Sequence, residues 1–142
     1  HLFPLATVVT PNLYESTFLC HRKIRTIEEM EEAGRAIHAM GPKYVLVKGG
    51  HLPGERVVDL LYDGREFVRR ESRRVQGEFH GTGCTLSSAI AAGLAKGLPV
   101  REAVARAQDY VELGLKTAPT IGGGRRPLNH FPEGFTPPEN PA

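Results

Sequence analysis

Cysteine is scarce in this chain of 142 residues: there are two, Cys20 and Cys84. Two thiols do not make a disulfide framework. Their contexts also differ, one ending an apolar helix-like run and the other sitting in a glycine turn. Both read as free thiols, the state expected in a reducing compartment. Long apolar runs are missing too; none approaches the roughly 20 residues that cross a bilayer. Nor is there much excess of one charge, with 18 basic against 16 acidic side chains and a net charge of +2. So small an excess does not by itself imply a nucleic-acid or membrane partner. The start, His1-Leu2-Phe3-Pro4-Leu5, lacks the basic segment and apolar core of a secretory signal. It reads as a chain entering mid-fold. The expectation is a soluble, cytoplasmic protein of about one domain.

What is present is enough apolar sequence, 40% of residues, to build a core. Ala6 to Thr10 is a short β-branched run stopped by Pro11, the pattern of a buried strand. Asn12 can cap a helix running to Cys20. Thr26 and Glu29 form a capping box, and the helix it opens carries Ile27, Met30, Ala33, Ile37 and Met40 on one face up to Gly41. Tyr44 to Lys48 is a second buried strand closed by Gly49-Gly50. Strand, helix, strand at this spacing predicts a parallel, right-handed crossover. Asp63-Gly64, between two β-prone runs, predicts a hairpin. Two further helices are expected, one from the Gly81–Cys84 turn to about Lys96 and one over 101–117, with Ala103, Val104, Ala107, Val111 and Leu115 inward. From Pro119 onward the chain reads as loop. The pattern predicts an α/β fold with helices on both faces of a mostly parallel sheet.

The most informative stretch is Gly81-Thr82-Gly83-Cys84, which opens directly into a helix of small and apolar residues. The first N–H groups of a helix lack intrahelical partners, and the macrodipole adds partial positive charge there. Glycine lets a ligand approach the backbone, so the stretch predicts an anion cradle with a thiol at its mouth. The helix dipole favours the thiolate of Cys84, which reads equally as a general base or as a small residue filling the turn. A covalent nucleophile would need a base, and His80 lies across the glycine turn. Lys48, ending an apolar strand before two glycines, either snorkels to solvent or reaches a phosphate as a point charge. Asn12 and Glu15 fit a helix cap as well as a Mg²⁺ site, since Mg²⁺ on phosphates needs only one or two carboxylates. His51 reads as structural or as a phosphate contact, and Asp59 as a turn cap or a substrate ligand. The run Arg69, Arg70, Arg73, Arg74 and the pair Arg125-Arg126 read as solvated faces. Ligands in open α/β sheets bind at the carboxyl ends of strands, so Lys48 to His51, Thr10 to Asn12 and the Gly81 cradle are expected to face one crevice.

Taken in order, Val9-Thr10-Pro11-Asn12 with Glu15, Val45 to His51, Asp59 to Gly64, His80-Gly81-Thr82-Gly83-Cys84-Thr85-Leu86-Ser87 and Pro127 to Phe131 resemble the hydroxymethylpyrimidine/phosphomethylpyrimidine kinases of thiamine biosynthesis. The resemblance implies a ribokinase-like, three-layer α/β/α fold, of which residues 1–131 are the C-terminal, ATP-binding and anion-hole part, followed by a Pro-rich tail over 132–142 expected to be disordered. It implies transfer of a phosphoryl group from ATP, with Mg²⁺, to a small pyrimidine alcohol and its monophosphate. By the same analogy Gly81, Thr82 and Gly83 form the anion hole, Cys84 meets the substrate as catalytic base, Lys48 neutralises the phosphate chain, and Asn12 with Glu15 holds the metal. The N-terminal half of the family has no counterpart here, which implies a fragment of a longer polypeptide or a partner chain. An unpaired sheet edge left by that gap is a route to association, and a homo-oligomer is expected. Rival readings are a pyridoxine or pyridoxal kinase sharing the cradle, a non-catalytic nucleotide-binding module, and a thiol hydrolase or transferase using Cys84. Phe79 stands where many relatives have threonine.

Overall fold

The computed structural model describes residues 2–134, and the chain forms two compact units, residues 1–74 and 75–142. The first unit opens with a short 3-10 turn, Phe3–Leu5, and strand β1, Val8–Val9. Helix α1, Leu13–Cys20, follows. Its start is closed reciprocally, Glu15 N–H donating to Asn12 Oδ1 at 2.9 Å and Asn12 N–H to Glu15 Oε2 at 2.7 Å. Helix α2, Ile27–His38, opens on the expected capping box of Thr26 and Glu29. Met30, Ala33 and Ile37 recur at helical spacing and are fully buried, whereas Met40 lies past the helix end and is exposed.

Strand β2, Tyr44–Lys48, pairs parallel with β1, Val8 opposite Tyr44 and Val9 opposite Val45. The expected crossover is therefore present. A loop over 49–55 leads to β3, Arg56–Tyr62, antiparallel on the other side of β2. The chain turns at Asp63, whose Oδ1 accepts the N–H groups of Arg65 and Glu66, and returns antiparallel as β4, Phe67–Arg73. The order is β1-β2-β3-β4, so this sheet is mixed and not mostly parallel. Connection length explains the difference. Parallel neighbours need a crossover of about a dozen or more residues, and the 49–55 loop is shorter.

The core of this unit joins Met30, Ala33 and Ile37 of α2 to Val45, Val47, Val58 and Leu60 of the sheet. Burying each large side chain is worth about 1.5–3 kcal/mol. On β4 the outward positions are charged, and Glu71 bridges Arg56 at 2.9 Å and Arg69 at 2.6 Å. Those guanidinium groups, Arg56 foremost, hold the exposed Glu71 carboxyl below the usual range.

The second unit contains β5, Phe79–His80; α3, Thr82–Ala95; α4, Val100–Lys116; and β6, Arg126–Pro127. Helices α3 and α4 bury Leu86, Ile90, Ala103, Val104, Ala107 and Val111, the face expected of α4 apart from Leu115, which is half-buried. The expectation of loop throughout from Pro119 is corrected: β6 pairs parallel with β5 and Leu128 is buried. Asn129 N–H donates to Gly114 O at 3.1 Å, and Tyr110 Oη–H to His130 O at 2.7 Å. Of the Pro-rich tail, residues 135–142 lie outside the described residues.

Gly49 marks a close approach between strands, because a Cβ there would overlap the carbonyl oxygen of Val58. Gly49→Ala should lower stability by about 2–4 kcal/mol in urea unfolding. An unchanged midpoint and slope would mean that the strands part freely at that point.

Candidate functional site

In the first unit the ladder continues past β1. Lys48 N–H donates to Pro11 O at 2.9 Å, and Asn12 and Lys48 form a further parallel bridge. Lys48 and the Asn12–Glu15 cap therefore stand side by side at the carboxyl ends of β1 and β2, where such sheets bind ligands. The chain then turns at Gly49, whose N–H donates to Asp59 Oδ1 at 3.0 Å. Of the two roles open for Asp59, the turn is the one observed. His51 follows, exposed, its ring edge-on to that of Tyr14 with centroids 4.6 Å apart.

Asn12 and Glu15 satisfy each other as a cap. Among the described residues no group of three or more His, Cys, Asp or Glu side chains gathers to hold a metal ion. Arg74 is the residue that sequence reasoning missed here. Grouped with a solvated charge run, it is in fact half-buried and donates to the carbonyls of Gly50, Leu52 and Gly54. No side-chain pattern signals such a role, because every acceptor is backbone.

In the second unit β5 ends at His80 and the chain turns through Gly81, at φ 85° and ψ 2°. Glycine occupies this left-handed region without the penalty a Cβ brings, and the space beside it is open. Gly81 O accepts both the N–H and the Oγ1–H of Thr85, at 2.9 and 2.8 Å, so the turn is tied to the first turn of α3. Thr82, Gly83 and Cys84 sit where helical N–H groups have no intrahelical acceptor. No side chain caps α3, and no acid lies in its first turn. Cys84 is exposed beside them.

A groove of about 680 Å³ runs between α3 and α4, bordered by Gly81, Cys84, Ala92, Arg106 and Tyr110. The segment leading into β5 is contacted by Arg126, which donates to Gln76 O at 2.8 Å and lies 4.7 Å from the ring centroid of Phe79. That cation–π contact gives Phe79 a partner. The Arg125-Arg126 pair is thus split: Arg125 reaches the exposed Glu78 at 3.3 Å, while Arg126 is structural.

A mixed α/β chain with an open, glycine-led helix start is the architecture of the ribokinase-like kinases, and solved members superpose on it. Pyridoxal kinase from Staphylococcus aureus in complex with ADP matches with a TM-score of 0.89 and 35% identity, over 94% of this chain and 50% of that one. The phosphomethylpyrimidine kinase family model matches residues 1–129, and the chain belongs to that family. It is 49% identical to hydroxymethylpyrimidine/phosphomethylpyrimidine kinase of Rhizobium meliloti, over 92% of this chain and 50% of the relative. It is 48% identical to the thiamine biosynthesis bifunctional protein ThiED of Geobacter sulfurreducens, over 92% of this chain and 27% of the relative. The chain thus spans about half the length of the single-function relative or less. Among the described residues no helix is long and apolar enough to cross a membrane.

The two thiols differ in a way that chemistry can read. Cys20 is half-buried with Sγ 3.9 Å from Ala33 O, and burial pushes its thiol up against the opposing pull of Arg22. A raised thiol is less ionised at neutral pH, and the thiolate is the reacting form. Iodoacetamide at pH 7 should therefore label exposed Cys84 first, by about tenfold or more in rate, with Cys20 gaining as pH rises. Peptide mapping that found the reverse order would contradict this assignment of the two environments.

Proposed function

We propose that this chain supplies the nucleotide and anion-hole half of a kinase that transfers the γ-phosphoryl group of ATP to 4-amino-5-hydroxymethyl-2-methylpyrimidine and then to its monophosphate. One observation carries the reading: the start of α3, led by Gly81 at positive φ, is left without a side-chain cap or an acid, in a member of the phosphomethylpyrimidine kinase family. The ADP complex of the Staphylococcus aureus relative supports nucleotide use.

Phosphoryl transfer needs positioning and charge stabilisation more than covalent chemistry. The amides of residues 81–83 and the dipole behind them donate to the negative charge gathering on the transferring group. The Cys84 thiolate takes the hydroxyl proton as the alcohol oxygen attacks phosphorus, the bond to the bridging oxygen breaks, and ADP leaves. With the monophosphate as acceptor, the same sulfur faces the acceptor phosphate. Lys48 neutralises the phosphate chain as a compact charge. Glu15 keeps one oxygen outside its cap bond, and with the Asn12 carbonyl it offers the hard oxygen donors that Mg²⁺ takes alongside phosphates. The ion, when bound, supplies further neutralisation of phosphate charge.

A second reading, phosphorylation of pyridoxine or pyridoxal, is favoured by the superposition on pyridoxal kinase. The ring pocket that separates the two lies in the remaining length of the relatives, carried by the same polypeptide or by a second chain. The whole enzyme acts in the cytoplasm as a homo-oligomer on this reading.

Cys84→Ala, introduced with the remaining half present, should lower ADP release by about 10²–10⁴-fold while AMP-PCP affinity is unchanged. Undiminished turnover would remove the base assignment. Comparing the pyrimidine alcohol with pyridoxal as acceptor in the same assay decides between the two substrates.

A further inference from the structure

Arginine offers five N–H donors in a planar fork and keeps its charge at any working pH. Arg74, one residue past β4, uses this fork on a single loop. Its Nη1 donates to Gly50 O at 2.7 Å, its Nε to Gly54 O at 2.8 Å, and its Nη2 to Leu52 O. Its own backbone N–H donates to Glu55 O at 2.7 Å. The loop it holds carries Gly49, Gly50, Pro53 and Gly54, and two of those glycines have nothing within 4 Å where a Cβ would stand. Little else shapes it. Leu52 N–H bonds to Gly49 O at 2.9 Å, and Gly49 N–H to Asp59.

Three of the loop's carbonyls are committed to the guanidinium. Among the described residues the Gly50 and His51 amides find no protein acceptor. They follow directly on Lys48, and the side of Gly50 is open. Of the neighbouring charges Lys48 and Arg74 are positive, while Glu55 in the loop, Asp59 at the Gly49 N–H and Glu15 beside Lys48 are negative.

We infer that Arg74 is a positioning residue: it sets the 49–55 loop so that Lys48 and the Gly50 and His51 amides are presented ready-formed to the phosphate chain of a nucleotide. The identity of that ligand rests on the kinase reading above. A glycine-rich loop ordered only on binding would charge its conformational entropy to the ligand, and a loop held beforehand does not.

The experiment is calorimetric titration of the full chain with AMP-PCP, together with amide hydrogen exchange, on wild type, Arg74→Met and Arg74→Lys. Arg74→Met should speed exchange over 50–55 without altering that of Val58 and Leu60, and should weaken AMP-PCP binding about tenfold. Arg74→Lys should recover little of this, since one ammonium cannot span three carbonyls. Wild-type affinity in both variants, despite a loosened loop, would overturn the inference and leave the kinase reading standing. Full recovery by Arg74→Lys would also overturn it, because charge and not the fork would then be what matters. A wild-type chain without affinity for AMP-PCP would overturn the kinase reading and this inference together. Should circular dichroism show Arg74→Met unfolded, Arg74→Gln takes its place with the same expected loss.

Discussion

A backbone N–H at the start of a helix has to find an acceptor, and the way this chain meets or leaves that demand organises the rest. Helix α1 closes its start with Asn12 and Glu15, α2 with Thr26 and Glu29, and α4 carries Glu102 in its first turn. Helix α3 has none of these. The same sequence that closes α1 and α2 with reciprocal caps puts glycine, threonine, glycine and cysteine at this one. Leaving donors unpaired costs free energy if they are buried, and here the surroundings are open. The cost is therefore small, and the donors stay open to solvent.

The carboxyl end of β2 follows a related logic by different means. There the backbone is irregular, and its polar groups are held from within: the Gly49 N–H donates to Asp59, and three loop carbonyls accept from one guanidinium. The cap bond of Glu15 anchors α1 beside Lys48 and uses one of its two carboxylate oxygens. The equal weighing of cap and metal from spacing alone thus gains a definite first answer, the cap, without using up the residue.

Legibility followed how local each cause was. The two capping boxes, the Asp63-Gly64 turn and the Gly81 helix start are written within three or four consecutive residues, and each was readable. The antiparallel pairing of β3 with β2 was not, because strand direction depends on the short 49–55 connection, which carries no hydrophobic pattern of its own. Strand β6 has two residues, too few for periodicity, and it exists through pairing with Phe79–His80 far back in the sequence. Arg74 and Arg126 were hidden for a third reason. An arginine bonded to main-chain oxygens looks, as a letter in a string, like one washed by solvent. Lys48 at a strand end and the uncapped 81–84 helix start could be located from the sequence, whereas the arginines bonded beside each of them could not.

The two margins of the four-stranded sheet are unlike. On the β4 side Glu71 bridges Arg69 of the same strand and Arg56 of β3, and another strand laid there would meet that charged cluster. Beyond β1 stand Val8 and Val9, short, apolar and half-buried, with no described strand alongside. The sheet is thus apolar at one margin and charged toward the other, an asymmetry in what each side would present to a neighbouring strand.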